Sequence, residues 1–185
     1  MKTGLILFTY NHPNVKKPLS LVSSIIRIFT TGELKRKDHT PTHTAQTIMI
    51  DGELFVIDSD TFGIIPRKFE DWKKGRAWVH VFDPCILNAK SKEKAYIKKA
   101  LDKSGTTYDF KSIVPQLRYQ VTGKYKGVTN PEVADNNFIC SEFTAWLYGY
   151  KLWHLRSPAN LFKNRLFDAP FGVDLVAGIP DDIKL

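Results

Sequence analysis

The chain has 185 residues, 43% of them hydrophobic, and carries 27 lysines and arginines against 19 acidic residues, a net charge of +8. That length and apolar content suffice for one substantial core and are short for two, so a single domain over residues 1–185 is expected. A 25% share of charged residues and a full aromatic complement argue against disorder, and no apolar stretch approaches the ~20 residues that cross a bilayer.

Residues 5–10 read as a strand. The opening apolar run is too short for a secretion signal, and Tyr10-Asn11-His12-Pro13 follows at once, so a cytoplasmic location is expected. Residues 19–30 place Leu21, Val22, Ile25, Ile26 and Phe29 on one side, with Gly32 past the end, as an amphipathic helix would. A charged loop, 33–38, leads to His39 and His43.

Two runs rich in β-branched and apolar residues, 44–50 and 53–57, flank Asp51-Gly52. Asp-Gly between such runs signals a tight hairpin, because the turn needs positive φ that glycine accepts freely. Ile50 then faces Glu53, His43 opposes Asp60, and Ala45 opposes Asp58. Side chains alternate along a strand, so in a regular hairpin His43, Asp58 and Asp60 share one face while Gln46 points the other way.

Further on, residues 77–82 alternate like a strand with Trp78, His80 and Phe82 on one face. Residues 91–103 read as a helix capped by Ser91 and closed by Gly105, and 109–119 as a helix interrupted by Pro115. Residues 124–133 carry Gly and Pro and read as a loop, and 170–185 as a mostly extended tail. Helices with a meandering sheet give an α+β domain.

Cys140 lies where an irregular polar stretch becomes helical: Phe143, Trp146, Leu147 and Tyr150 recur at three, four and seven residues. With Asn136 or Asn137 as the cap, Cys140 falls in the first turn. There the free N–H groups and the helix dipole favour the thiolate, the reactive form of cysteine. A histidine oriented by a carboxylate on the neighbouring strand would complete a Cys-His-Asp arrangement, with the imidazole moving the proton and the first-turn amides forming part of an oxyanion hole. Tyr108 fits either a core position or a donor to the oxyanion. The other cysteine, Cys85, follows Pro84 with neither a helix start nor a base at hand. Without a secretion signal, two free thiols are expected. His80 alone stands near Cys85, a poor ligand set for zinc, and no cofactor is implied.

Several short motifs occur in order. They are Gly4-Leu5-Ile6-Leu7-Phe8, Thr42-His43-Thr44-Ala45, Phe55-Val56-Ile57-Asp58, Gly63-Ile64-Ile65-Pro66, Tyr108-Asp109-Phe110, Cys140-Ser141-Glu142-Phe143 and Ser157-Pro158-Ala159-Asn160-Leu161. Together they resemble the circularly permuted papain-like branch of the NlpC superfamily, particularly its YiiX-like and lecithin:retinol acyltransferase-like groups. In that branch the histidine strand precedes the cysteine helix. Leu5 stands where the family usually has Asp, and Asp58 where it usually has Glu. The resemblance implies a permuted papain-like α+β core with Cys140, His43 and Asp58 as catalytic residues and no metal or cofactor. It implies a thiol hydrolase or acyltransferase working through a thioester on peptide, isopeptide or lipid acyl bonds. The resemblance favours Asp58 as the orienting carboxylate, whereas simple pairing puts Asp60 opposite His43. His39 is the substitute base if the register differs.

The charge supports a second reading. Lys16 and Lys17 precede the amphipathic segment, Lys35, Arg36 and Lys37 follow it, and six lysines fall within residues 90–103. Such runs are usually solvated, yet they would also suit an anionic membrane surface. Arg118-Tyr119 and Lys124-Tyr125-Lys126 interleave cations with aromatics, but no nucleic-acid module accompanies them, which argues against that partner. The alternative is therefore a non-catalytic papain-like domain that binds an anionic partner.

Overall fold

The computed structural model describes residues 2–10, 41–74, 76, 78–87, 89–111, 113–124 and 137–178. The amphipathic segment 19–30, the charged loop with His39, His12, residues 125–136 and the last seven residues, 179–185, lie outside them. Six strands, β1 (Ile6–Tyr10), β2 (His43–Ile50), β3 (Glu53–Asp60), β4 (Gly63–Lys68), β5 (Trp78–Asp83) and β6 (Val173–Gly178), form one antiparallel sheet in the order β4-β3-β2-β1-β5-β6. The helices are α1 (Phe69–Trp72), α2 (Lys90–Leu101), α3 (Ile113–Thr122), α4 (Cys140–Leu147) and α5 (Pro158–Asp168), with a 3₁₀ turn at Trp153–Leu155. The class is α+β, as the sequence patterns indicate.

The β2–β3 hairpin turns at Asp51 (φ 50°) and Gly52 (φ 81°), two successive positive-φ residues that match the twist of the flanking strands. Ile50 pairs with Glu53 and Gln46 with Ile57, the expected register. That register divides the sheet into two faces. Leu5, Leu7, Ala45, Leu54, Val56, Val79 and Val81 pack on one face with Phe69 and Trp72 of α1. Ile6, Phe8, Ile48, Ile57 and Phe82 pack on the other against Tyr96, Phe143, Ala145, Leu147 and Leu161 of the longer helices. Leu5, the apolar replacement in the opening strand motif, is buried in the first cluster.

Several helix boundaries differ from the sequence expectation. Helix α2 starts at Lys90, with Ala89 as its cap and no side-chain cap bond, so Ser91 lies inside the helix. Gly105 does not close it: its N–H reaches the Ile64 carbonyl at 2.9 Å and docks the following loop on β4. Pro115 does not interrupt α3, because it is the third residue of that helix, where the N–H has no partner within the helix to lose. Helix α5 begins at Ser157-Pro158, with Ser157 Oγ accepting from the Asn160 N–H at 3.1 Å and proline in the first turn.

Gly63 opens β4 at φ +95°, and a Cβ there would run into the Thr106 carbonyl oxygen. That same carbonyl accepts from the Ile64 N–H at 2.9 Å and fastens the loop leading to Tyr108. Gly63→Ala is therefore expected to destabilise the fold by at least about 1 kcal/mol in urea unfolding.

Candidate active site

The end of β2 is where the two faces of the sheet come together. His43 is the first residue of β2 and pairs across β1 with Thr9. Its Nε2 meets Asp58 Oδ2 at 2.5 Å, which leaves Nδ1 free of the carboxylate, and Cys140 is near enough for its charge to act on the ring. Asp58 shares the α1 face with His43, whereas α4 packs on the opposite face against Thr44 and Gln46. A ring in mid-strand could not serve both sides. At the strand's first residue it reaches round the end to Cys140, the first residue of α4.

Helix α4 is started differently from the sequence expectation. Ile139 is the cap, in extended conformation, and its N–H donates to Glu142 Oε2 at 3.2 Å. Asn137 instead accepts from the Thr107 hydroxyl at 2.9 Å, and Asn136 lies outside the described residues. Glutamate at the third helical position supplies half of a capping box, a signal present in Cys140-Ser141-Glu142. The segment entering the helix is pinned from both sides: the Phe138 carbonyl accepts from Ser59 Oγ and from the Asp109 N–H, and Phe138 bridges Tyr108.

Asp58 is wholly buried, held by three hydrogen-bond donors and faced by a further guanidinium. Arg67 Nη2 stands 2.5 Å from Oδ1, Trp72 Nε1 donates to Oδ2 at 2.9 Å, and Arg76 Nη2 lies 3.6 Å from Oδ2, beside the His43 contact. Burial alone would raise this carboxyl. The His43 hydrogen bond and the charges of His43, Arg76 and Arg67 outweigh burial and hold it well below the usual carboxylate range. The β2–β3 pairing runs only as far as Gln46 and Ile57, and Asp60, which the hairpin register would place opposite His43, turns to Arg67 Nη1 at 2.6 Å and to the Phe62 N–H at 2.8 Å. The imidazole therefore meets Asp58.

The His43 ring is 12% exposed. Burial pulls its pKa down, but negative charge at Cys140 and the hydrogen bond to Asp58 pull harder and raise it to about 9. The ring is thus held as imidazolium when Cys140 is ionised. Tyr108 is pushed well above its ordinary value by burial and by the charges of Cys140, Glu142, Asp109 and Asp60, so its hydroxyl keeps its proton near the thiol.

A search of solved structures finds a likeness over nearly the whole chain. The fold is similar to that of the crystal structure of metalloprotein yiiX from Escherichia coli O157:H7, DUF1105, with a TM-score of 0.54 and 16% identity, covering 96% of this chain and 97% of that one. No family model matches the sequence, and no curated protein sequence matches it. The α+β arrangement with its six-stranded antiparallel sheet is accordingly YiiX-like.

Cys140, His43 and Asp58 come together, and Cys85 does not join them: it is a free thiol at φ 54° whose N–H donates to Asp83 Oδ1 at 2.8 Å. His80 pairs with Asp174 at 2.7 Å on the far side of β1. Arg67, Trp72 and Arg76 were not singled out by the sequence reading. A signal for Arg67 exists: with Thr61-Phe62 read as a turn, β4 pairs with β3 so that Ile65 opposes Asp58 and Arg67 opposes Val56, on the same face as Asp58. Among the described residues no helix is long and apolar enough to cross a membrane.

Proposed function

We propose that the protein is a thiol-dependent hydrolase or acyltransferase of permuted papain-like type, with residues 1–185 as one domain, cleaving amide or lipid acyl bonds through a thioester on Cys140. The observation that carries this reading is one histidine ring that meets a buried, arginine-held carboxylate and feels the charge of Cys140 from close by.

In this mechanism Cys140 Sγ, as thiolate, attacks the acyl carbon and forms the C–S bond. The carbonyl electrons move onto oxygen, which the first-turn N–H groups of α4 and the protonated Tyr108 hydroxyl are suited to receive. The tetrahedral species collapses as His43 imidazolium gives its proton to the departing nitrogen or oxygen and that bond breaks. His43, now neutral, takes a proton from water or an acceptor alcohol or amine. The oxygen or nitrogen attacks the thioester, and the thiolate is released. Asp58 fixes the ring and stabilises its charge throughout.

The structural neighbour is described as a metalloprotein. This site does not suit a cation: the Asp58 oxygens are committed to Arg67, Trp72 and His43, and two guanidinium groups would repel the metal. Among the described residues no group of three or more His, Cys, Asp or Glu is arranged to hold one. No step is assigned to a metal.

The test is acyl-enzyme trapping with activated esters of short and long acyl chains and with peptide anilides, read by intact-protein mass spectrometry. The wild type is expected to gain one acyl mass, removable by hydroxylamine, and Cys140→Ala to gain none while keeping its fold. Acylation that survives Cys140→Ala would end the catalytic reading.

A further inference from the structure

The reading above leaves open what holds a thiol on one element and an imidazole on another at working distance. Three wholly buried polar side chains, Thr44, Gln46 and Thr144, lie between β2 and α4. Thr144 Oγ1 is their centre. It donates to the Cys140 carbonyl at 3.0 Å, stands 2.7 Å from Thr44 Oγ1, and receives the Gln46 side-chain amide.

A hydroxyl has one proton and two lone pairs. The proton of Thr144 goes to Cys140, so Thr44 is the donor of the threonine pair. Gln46 must likewise turn its NH₂ group inward, because its oxygen would need a second proton that Thr144 does not have. Every bonding capacity of the Thr144 hydroxyl is therefore used, and its partners lie on the two elements that carry His43 and Cys140. Thr44 adjoins His43 in the chain, and Cys140 lies one helical turn before Thr144.

We infer that Thr144 is a positioning residue: its saturated hydroxyl fixes the register of the Cys140 helix on the His43 strand. This rests on the Cys140–His43 reading. The apolar contacts of Phe143, Ala145 and Leu147 press the helix onto the sheet without direction, whereas three hydrogen bonds to one oxygen set where along the strand it sits. The arrangement carries a cost that a purely stabilising contact would avoid, because Gln46 Oε1 is buried with no hydrogen-bond partner.

The experiment is the pH profile, from 4 to about 10, of iodoacetamide alkylation at Cys140 and Cys85, followed by peptide mass spectrometry. It compares the wild type with His43→Ala, Thr144→Val, Thr144→Ser and Thr44→Val, with thermal unfolding in parallel. Cys85 is the internal reference, since it takes no part in the network. Thr144→Val and Thr44→Val are expected to slow Cys140 alkylation at pH 6 by about 10- to 10²-fold and move its profile to higher pH, with Cys85 unchanged. Thr144→Ser, which keeps the hydroxyl, is expected to retain the wild-type profile.

A folded Thr144→Val with the wild-type profile overturns the inference, and so does a Thr144→Ser that falls as far as Thr144→Val. Should Thr144→Val not fold, Thr44→Val decides alone, because it leaves the bond to Cys140 in place; an unchanged profile there also overturns the inference. The two levels separate cleanly. A wild-type profile identical to that of His43→Ala removes the Cys140–His43 reading and this inference with it. A His43-dependent wild type beside insensitive threonine variants removes only the positioning role.

Discussion

Asp58→Ala is expected to cost about 3 kcal/mol of folding stability at neutral pH, the lower end of the range for removing one partner of a buried ion pair. The lower end applies because Arg67, one of the groups left behind, is 30% exposed and recovers some hydration. Arg76 and Trp72 are far more enclosed: the indole N–H would lose its acceptor and Arg76 a nearby opposite charge, with little solvent to replace either. The pH dependence identifies the mechanism. Asp58 has a folded-state pKa below its unfolded value, so its stabilisation is present above the ordinary carboxylate value of about 3.9 and is lost as pH falls through the folded value. Urea unfolding of wild type and Asp58→Ala should therefore differ by a constant amount from about pH 5 to 6 and converge in stronger acid. A gap that stays constant into strong acid would mean that Asp58 stabilises by shape rather than by charge. The acylation rate should fall in the same variant by about 10²–10⁴-fold, because the imidazole loses both its orientation and the carboxylate that supports its positive charge.

The choice between Asp58 and Asp60 shows where sequence reasoning stops. The hairpin was legible because Asp51-Gly52 dictates the turn and alternation dictates the face, which placed His43 with both carboxylates. Which carboxylate the ring meets depends on residues that alternation does not reach. Arg67 takes Asp60 with one nitrogen and Asp58 with another, while Trp72 on the short helix α1 converges on Asp58 alone. Strand β4 escaped notice because Pro66 argues against a strand. It is tolerated there because β4 is the edge of the sheet, where proline need not donate. The nucleophile helix was found from its apolar spacing, but its start was misread: Asn137 is an attractive cap in sequence, yet its carbonyl is taken by Thr107 and the helix begins after Ile139. Thr44, Gln46 and Thr144 carry no sequence signal as a set, since only the packing of α4 on β2 makes them neighbours.

His43→Ala is expected to lower the rate of acyl transfer to Cys140 by about 10²–10⁴-fold, the usual contribution of a positioned acid–base group. The wild-type profile should carry a descending limb at about pH 9, where His43 loses the proton it must hand to the leaving group. Its sign follows from the raised pKa: the charged ring and the stability it contributes are fully present below its unfolded value of about 6.5 and are lost as pH rises through about 9. His43→Ala should lack that limb altogether, which a loss of folding alone would not produce. His39→Ala is the companion variant, because His39 is the other histidine that the sequence places just before the β2 strand. A wild-type rate and limb in His39→Ala, with both lost in His43→Ala, assigns the proton transfer to His43. The reverse pattern would move the base to His39 and leave the His43–Asp58 pair as a structural contact at the strand end. An activated ester with a good leaving group sharpens the distinction, since it needs no proton on departure. Its acylation by the wild type should keep its rate above pH 9, while that of an alkyl ester or amide falls. Equal alkaline losses for both substrates would mean that the limb reports unfolding of the site rather than titration of the acid.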